Sequence, residues 1–168
     1  HMTFDQLQRL QPREYPAELP IRVIAIDEAG LKKYGQWPWP RERLAAIVSR
    51  LTQMGAKVTA LDLLLSEPDR YSPHRLAGRL TDQPELGRLL SALPDSDQTL
   101  ALAIADGRVA TGFLVHDLER GDTPPIPKAG FPTFGGNALS YLHRFNAATT
   151  PLPLLQQQAA VNGVISQY

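Results

Sequence analysis

The sequence predicts an α/β domain: a central, mostly parallel sheet with helices packed on its faces, beginning with a βαβ unit. Two apolar runs, residues 21–26 (IRVIAI) and 58–65 (VTALDLLL), are typical of strands buried on both faces of a sheet. An amphipathic helix is predicted between them, over residues 40–54. Strands that alternate with helices in this way form parallel sheets, and the crossover between them is right-handed in nearly all cases.

The helix predicted over residues 40–54 has clear start and stop signals. Pro40 fits the first helical position, where its missing N–H costs nothing, and the helix dipole favours the negative charge of Glu42 in the first turn. Gly55 is a natural C-terminal stop. One apolar stripe at three- and four-residue steps is formed by Leu44, Ile47, Val48, Leu51 and Met54.

The remaining elements follow from shorter patterns. Residues 66–81 are polar and contain two prolines, which predicts a loop. Asp95, Ser96 and Asp97 are candidate N-caps for a helix that ends at Gly107. The other predictions are a helix at 84–93, a strand at 109–115, a helix at 152–161 and the start of a fourth strand at 163–166. Residues 121–150 are rich in Pro and Gly. So long a loop is unusual in a compact domain, which favours a hairpin within it, but the pattern does not indicate its position.

Composition excludes several classes of function. Seventeen basic residues balance seventeen acidic ones, so the net charge is zero and the basic surplus of nucleic-acid-binding proteins is missing. Because the chain has no cysteine, disulfides and cysteine-based zinc sites are excluded. No cofactor is predicted.

Domain organisation is read from the ends of the chain. His1-Met2 is typical of a cloning remnant, and the prolines that follow indicate an extended N-terminal arm, so residues 1–20 are assigned to this lead-in. Residues 21–168 are assigned to one domain, which is long enough to bury a hydrophobic core without help from disulfides or bound metals. No apolar run reaches the ~18 to 20 residues that span a bilayer.

The most unusual segment is residues 35–41, GQWPWPR, which holds both tryptophans of the chain. Its prolines stiffen the turn that leads into the helix. In one interpretation Trp37 and Trp39 form the aromatic wall of a pocket, and Arg41 offers its planar donors to an anion. In the other, the segment is a rigid plug, and Arg41 pairs with a nearby carboxylate.

Four carboxylates form a second candidate cluster: Asp27, Glu28, Asp62 and Glu67 follow or interrupt the two predicted strands. Ligands of open parallel sheets bind beyond the carboxyl ends of the strands. Converging carboxylates there suit a hard cation or a metal-assisted hydrolytic site. The alternative is that Asp62 is buried and paired, for instance with Arg41. The histidines show no metal-ligand spacing, and no serine lies in a G-x-S-x-G context.

These strings together resemble the second class of CHASE domains, the cyclase/histidine-kinase-associated sensory extracellular domains. IRVIAIDE followed by GQWPWPR resembles the opening of that class, and the W-P-W-P-R string is the most specific piece. The other matching pieces are Leu51 to Ala56, Leu61-Asp62, Glu67-Pro68, Asp97 to Ala105 and Pro153 to Gly163. In the family, the domain is expected to run on through further strands, so the resemblance implies a C-terminally incomplete domain.

The resemblance implies the extracytoplasmic sensor of a bacterial receptor, flanked by transmembrane helices outside this chain. It further implies a periplasmic position, a cytoplasmic cyclase or kinase as output, and a homodimer formed through the receptor. A small molecule or a physical state would be the signal. The residues predicted to bind it are Asp27, Glu28, Trp37, Trp39, Arg41, Asp62 and Glu67. Two other hypotheses remain open: a metal-dependent hydrolase or phosphotransferase that uses Asp27 and Asp62, and a structural dimerisation domain.

Overall fold

Four strands, three parallel and one antiparallel, form the sheet of the computed structural model, which describes residues 9–10, 19–117, 124–130, 135 and 141–165. The chain divides into two compact units, one up to Trp37 and one from Pro38 onward. All four strands lie in the second unit. Helices pack on this mostly parallel sheet, so the predicted fold class is confirmed.

The longest strand, β2 (Val109–His116), is a partner in every strand pairing of the described residues. It pairs in parallel with β1 (Thr59–Leu61) and with β4 (Val161–Val164). The short β3 (Ala147–Thr149) runs antiparallel to the last three residues of β2. Thr111 of β2 therefore lies level with Leu61 of β1 and with Asn162 of β4.

Six helices are described. The first unit contains α1 (Glu28–Tyr34), and the second contains α2 (Arg41–Gln53), α3 (Pro73–Ala77), α4 (Pro84–Ser91), α5 (Ser96–Asp106) and α6 (Pro153–Gln158). Helix α2 packs against α5, α5 packs against α6, and α3 and α4 contact one another. The predicted stop of α2 is confirmed, because Gly55 has a positive φ of 87°, which glycine adopts without strain.

The core lies where α2, α5 and α6 meet the sheet. Its fully buried side chains come from five separate stretches of the chain, because each helix contributes one apolar face. They are Val48, Leu65, Leu100, Ile104, Val109 and Leu155, each at most 1% exposed. Met54, at the end of the predicted stripe of α2, is 70% exposed and lies outside this core.

The strand predicted at residues 21–26 is not present. This segment has no regular secondary structure, and Ile21, Val23 and Ile24 are 61–90% exposed. The predicted βαβ start is therefore wrong. The parallel crossovers begin one element later, from β1 to β2 and from β2 to β4. A run of β-branched residues favours extended backbone, but a strand also needs a neighbour to pair with, which the local pattern does not supply.

Further boundaries differ from the prediction. The helix predicted at 152–161 ends at Gln158, and β4 begins at Val161 rather than at residue 163. Of the strand predicted at 58–65, only Thr59–Leu61 is paired, and its partner among the described residues is β2. The loop predicted at 66–81 contains α3, which begins at Pro73, a residue that suits the first helical turn. Within the stretch 121–150, the structure describes residues 124–130, 135 and 141–150, and these include β3.

Candidate functional site

Three of the seven predicted site residues lie in the first unit. Asp27 is the N-cap of α1, where its Oδ1 accepts a hydrogen bond of 2.8 Å from the N–H of Gly30. Glu28 follows in the first turn of the helix. Trp37 ends the unit and is 40% exposed. The carboxylate of Asp27 therefore caps the N-terminus of α1.

The guanidinium of Arg41, in the second unit, lies at the centre of a buried polar cluster. Its Nε donates to Oδ1 of Asp97 at 3.2 Å, and its Nη2 donates to the carbonyl of Glu67 at 2.9 Å. The backbone N–H of Arg41 donates to Oδ2 of Asp69 at 2.7 Å. Arg41 thus joins the start of α2 both to the segment after β1 and to the first turn of α5.

Asp69 and Asp97 complete this cluster, which we call the hub (Arg41, Asp69 and Asp97). The N–H of Asp69 donates to Oδ2 of Asp97 at 2.9 Å, and Oδ1 of Asp69 accepts from the N–H of Tyr71 at 2.9 Å. The three hub residues are 8%, 6% and 4% exposed, respectively. Buried charges persist only when they are paired and hydrogen-bonded, and every oxygen of both carboxylates has such a partner.

A second set of contacts surrounds the start of α5. Asp95 is the N-cap, and its Oδ1 accepts from the N–H of Gln98 at 3.0 Å. Its Oδ2 accepts from the hydroxyl of the buried Ser72 at 2.9 Å and lies 3.7 Å from Nδ1 of His74. The hydroxyl of Ser96 donates to Glu42 on α2. The first turns of α2, α3 and α5 are therefore linked through side chains as well as through the hub.

The two tryptophans of the predicted motif have different environments. Trp39 is 6% exposed, and the guanidinium of Arg43 lies 5.3 Å from the centre of its ring, within the range of a cation–π contact. Trp37 is exposed, as described above. Trp39 is therefore buried just before α2, and Arg41 pairs with Asp97, a carboxylate partner of the kind that the plug interpretation expects.

The pKa of Asp97 in the hub and the pKa of Asp95, the cap of α5, are shifted in opposite directions. Burial raises the pKa of Asp97, although the N–H of Asp69 and the charge of Arg41 oppose the rise. Burial also acts to raise the pKa of Asp95, but the hydrogen bonds from Gln98 and Ser72 outweigh it, and the pKa is lowered overall. The cap is thus held as a carboxylate, whereas the ionised form of Asp97 is disfavoured by its surroundings.

Of the predicted residues in the second unit, the structure brings Trp39, Arg41 and Glu67 together at the start of α2. Asp62 follows the end of β1 and is exposed, so the idea that Asp62 is buried against Arg41 is wrong, and Asp97 takes that place. Glu67 contributes its backbone carbonyl, while its residue surface is exposed. No group of three or more potential metal ligands occurs in the part of the chain that the structure describes.

Sequence reasoning missed Asp69 as a site residue and assigned Asp97 only to capping. A signal for Asp97 was available, because it precedes Leu100, Ala101 and Ile104 by three, four and seven residues. These positions form one helical face, and all four residues are buried. A charged residue on the buried face of a helix requires a partner of opposite charge. No comparable signal exists for Asp69, which lies in an irregular segment.

We expect Asp95→Ala to lower the free energy of unfolding by about 1–2 kcal/mol at neutral pH, because the variant loses the helix cap and leaves the Ser72 hydroxyl without its acceptor. Because the folded-state pKa of Asp95 is lowered from 3.8, this contribution is present above that value and is lost as the pH falls through the folded pKa. Denaturant titrations at pH 7 and pH 3 measure it.

The matched control is Asp106→Ala, at the other end of the same helix, where an exposed negative charge is not stabilising. Equal losses in the two variants, or a loss for Asp95→Ala that does not shrink at pH 3, would contradict the capping role.

Comparison with known proteins gives one match. A family model described as CHASE2 domain matches residues 1–165, nearly the whole chain. No curated protein and no solved structure matches significantly. Within the described residues, no helix has the length and apolar character that crossing a membrane requires.

Proposed function

The chain belongs to the CHASE2 domain family, a family of extracellular sensory domains, and from this membership we propose that it is the signal-input domain of a bacterial transmembrane receptor. The domain would lie on the periplasmic side of the inner membrane. A cytoplasmic cyclase or kinase would receive the signal, and the receptor would work as a homodimer. The family match over residues 1–165 is the observation that carries the proposal.

The hub supports a sensory role over a catalytic one. The motif arginine is buried and held by protein partners on three sides, whereas a catalytic or anion-binding arginine needs an open face toward its substrate. The CHASE2 family is sensory rather than catalytic. The metal-dependent hydrolase remains the alternative, and it requires Asp27 and Asp62 to share a cation.

Arg41 also has a position that suits signal transfer. It is the fourth residue of the second unit, and the first unit ends at Trp37. The chain therefore enters the second unit through a short segment that the hub fixes at its far end. In a receptor whose N-terminal arm leads to a membrane helix, a signal that alters this anchor would act at the point where the chain passes from the first unit to the second. A ligand shifts a receptor between two conformations when it binds one of them more tightly than the other.

We propose that a signal is recognised through exposed members of the predicted set: Asp27, Glu28, Trp37, Asp62 and Glu67 in their respective units. Trp39 and Arg41 would then respond to binding through packing rather than through direct contact. A screen of small metabolites and of Mg²⁺ and Ca²⁺ by tryptophan fluorescence tests this division of roles. A metal response at millimolar concentration that Asp62→Asn abolishes would favour the hydrolase alternative.

Deleting residues 21–165 from the full receptor is expected to abolish signal-dependent control of its cytoplasmic output. The control is a receptor in which the domain is intact and the output module is catalytically inactive, which separates loss of regulation from loss of expression. Output that keeps both its basal level and its regulation after the deletion would contradict the sensory role. Dimerisation that depends on the domain, with no loss of signal response on deletion, would favour the structural dimerisation domain.

A further inference from the structure

Helix α4 has no buried residue, yet three leucines lie on one of its faces. Leu86, Leu89 and Leu93, in the helix and in the turn that continues it, recur at three- and four-residue steps and are 42%, 64% and 48% exposed. Such a stripe normally faces the core of its own domain, whereas here it faces solvent. An exposed apolar face of this kind indicates an interaction surface.

The leucine face belongs to a hairpin of two helices, residues 73–93, in which α3 and α4 pack mainly on each other. The residues on either side of the hairpin are bonded together at its base. The N–H of Asp69 donates to Oδ2 of Asp97, and the hydroxyl of Ser72 donates to Oδ2 of Asp95, each at 2.9 Å. The hairpin is therefore anchored beside the hub and the first turn of α5.

The charges of the hairpin indicate what its leucine face binds. The loop after α3 and helix α4 carry two exposed arginines, Arg79 and Arg88, and two exposed carboxylates, Asp82 and Glu85. None of the four forms an ion pair with another described residue, and Arg75 of α3 donates to a backbone carbonyl at the base. A two-fold interface brings the same surface of two copies together, so a surface that carries both signs is complementary to itself. An anionic lipid surface would attract the arginines but repel the carboxylates.

We propose that the leucine face of the hairpin is the surface through which two copies of this domain associate, an inference that rests on the proposed function as a dimeric receptor. Beside α4 lies an open groove with a volume of about 490 Å³, lined by Gln83, Pro84, Glu85, Leu86 and Leu89. It offers space for leucine side chains of the second copy, and Glu85 supplies a carboxylate at its wall. Apolar contacts at the centre and charges at the edge are the usual arrangement of a protein interface.

The small size of the surface makes the dimer weak. A stable interface buries about 800 Å² on each partner, which three part-exposed leucines do not supply on their own. The isolated chain therefore associates with a Kd above about 1 µM. Two domains tethered side by side in one receptor meet at an effective concentration on the order of millimolar, at which a weak contact forms. Because the base of the hairpin is bonded to Asp97, a change in this contact acts directly on the hub.

The first experiment is cross-linking through single cysteines, which is possible because the chain has no cysteine of its own. Leu89 is the middle leucine of the stripe, so Leu89→Cys places one thiol close to its counterpart in the second copy. Leu102→Cys on α5 is the matched control, because Leu102 is 63% exposed. Under mild oxidation of the whole chain, we expect Leu89→Cys to form covalent dimers about tenfold faster than Leu102→Cys. Equal rates would overturn the proposal, since they would mean random collision.

The second experiment identifies the occupant by sedimentation of the whole chain at concentrations up to about 1 mM, the effective concentration of a tethered pair. The wild type and Leu102→Asp are expected to form dimers, and Leu89→Asp is expected to stay monomeric with an unchanged far-UV circular dichroism spectrum. A wild-type chain that stays monomeric would overturn the proposal. If that monomer also floats with phosphatidylglycerol vesicles and Leu89→Asp does not, the leucine face binds lipid instead.

The receptor separates this inference from the sensory function on which it rests. The Leu89→Asp receptor is expected to lose its response to the signal, and the Leu102→Asp receptor is expected to keep it. A Leu89→Asp receptor that responds like the wild type, while deletion of the domain abolishes the response, would exclude this interface and leave the sensory function standing. A response that survives the deletion would contradict the sensory function itself, and the cross-linking result does not depend on that outcome.

Discussion

Replacing Arg41 with methionine is expected to lower the free energy of unfolding by about 3–5 kcal/mol. The variant leaves Asp97 buried without its cation, and it also removes the donor to the Glu67 carbonyl. Removing one partner of a buried ion pair costs more than the pair contributes, since the remaining charge loses its compensation. Urea denaturation at pH 7, followed by circular dichroism, measures the loss.

Arg50→Met is the matched control, because Arg50 lies on the same helix and is exposed. We expect it to stay within about 0.5 kcal/mol of the wild type. The double variant Arg41→Met/Asp97→Leu is expected to recover part of the loss, since it removes the stranded charge of Asp97. A cost below about 1 kcal/mol for Arg41→Met would contradict the description of the hub as a buried and indispensable ion pair.

Leu100→Ala is expected to cost about 2–5 kcal/mol. Leu100 is 0% exposed on α5, which packs against both α2 and α6, and the surrounding side chains belong to separate elements that do not collapse readily into the space. Its loss combines the transfer free energy of the removed methyl and methine groups with the cavity that remains. Thermal and urea unfolding of the variant measure the effect.

The same helix offers the control. Leu102 lies two residues further along and is 63% exposed, so Leu102→Ala is expected to change stability by no more than about 0.5 kcal/mol. Similar losses of stability in Leu100→Ala and Leu102→Ala would contradict the description of α5, in which Leu100 faces the core and Leu102 faces solvent.

Much of the fold is predictable because its signals are local. The helix from Arg41 to Gln53 has its proline, acidic first turn, apolar stripe and terminal glycine within the sixteen residues from Pro40 to Gly55. The cap of α5 is equally local, since Asp95 bonds the N–H of Gln98 three residues later. The resemblance to the CHASE2 family is likewise confirmed, and it rests on short strings of residues.

The predictions that are wrong concern contacts between residues that lie far apart in the sequence. Residues 21–26 have the composition of a buried strand, yet composition does not specify a neighbour, and the segment is exposed. The sequence singles out Arg41 and suggests a carboxylate partner for it, but the chain has seventeen acidic residues to choose from. The choice of Asp97, 56 residues away, follows from the packing of α2 against α5. Local pattern contains no information on that packing.

The central position of β2 has a consequence for how the chain folds. Ala110 of β2 pairs with Ala60 on one side and with Val161 on the other, so each parallel pairing joins residues about fifty positions apart. Closing such long loops costs entropy before any strand contact compensates for it, and chains with contacts of this kind fold slowly. During synthesis, the parallel sheet begins only once residues 109–116 have emerged, and until then β1 has no partner within it.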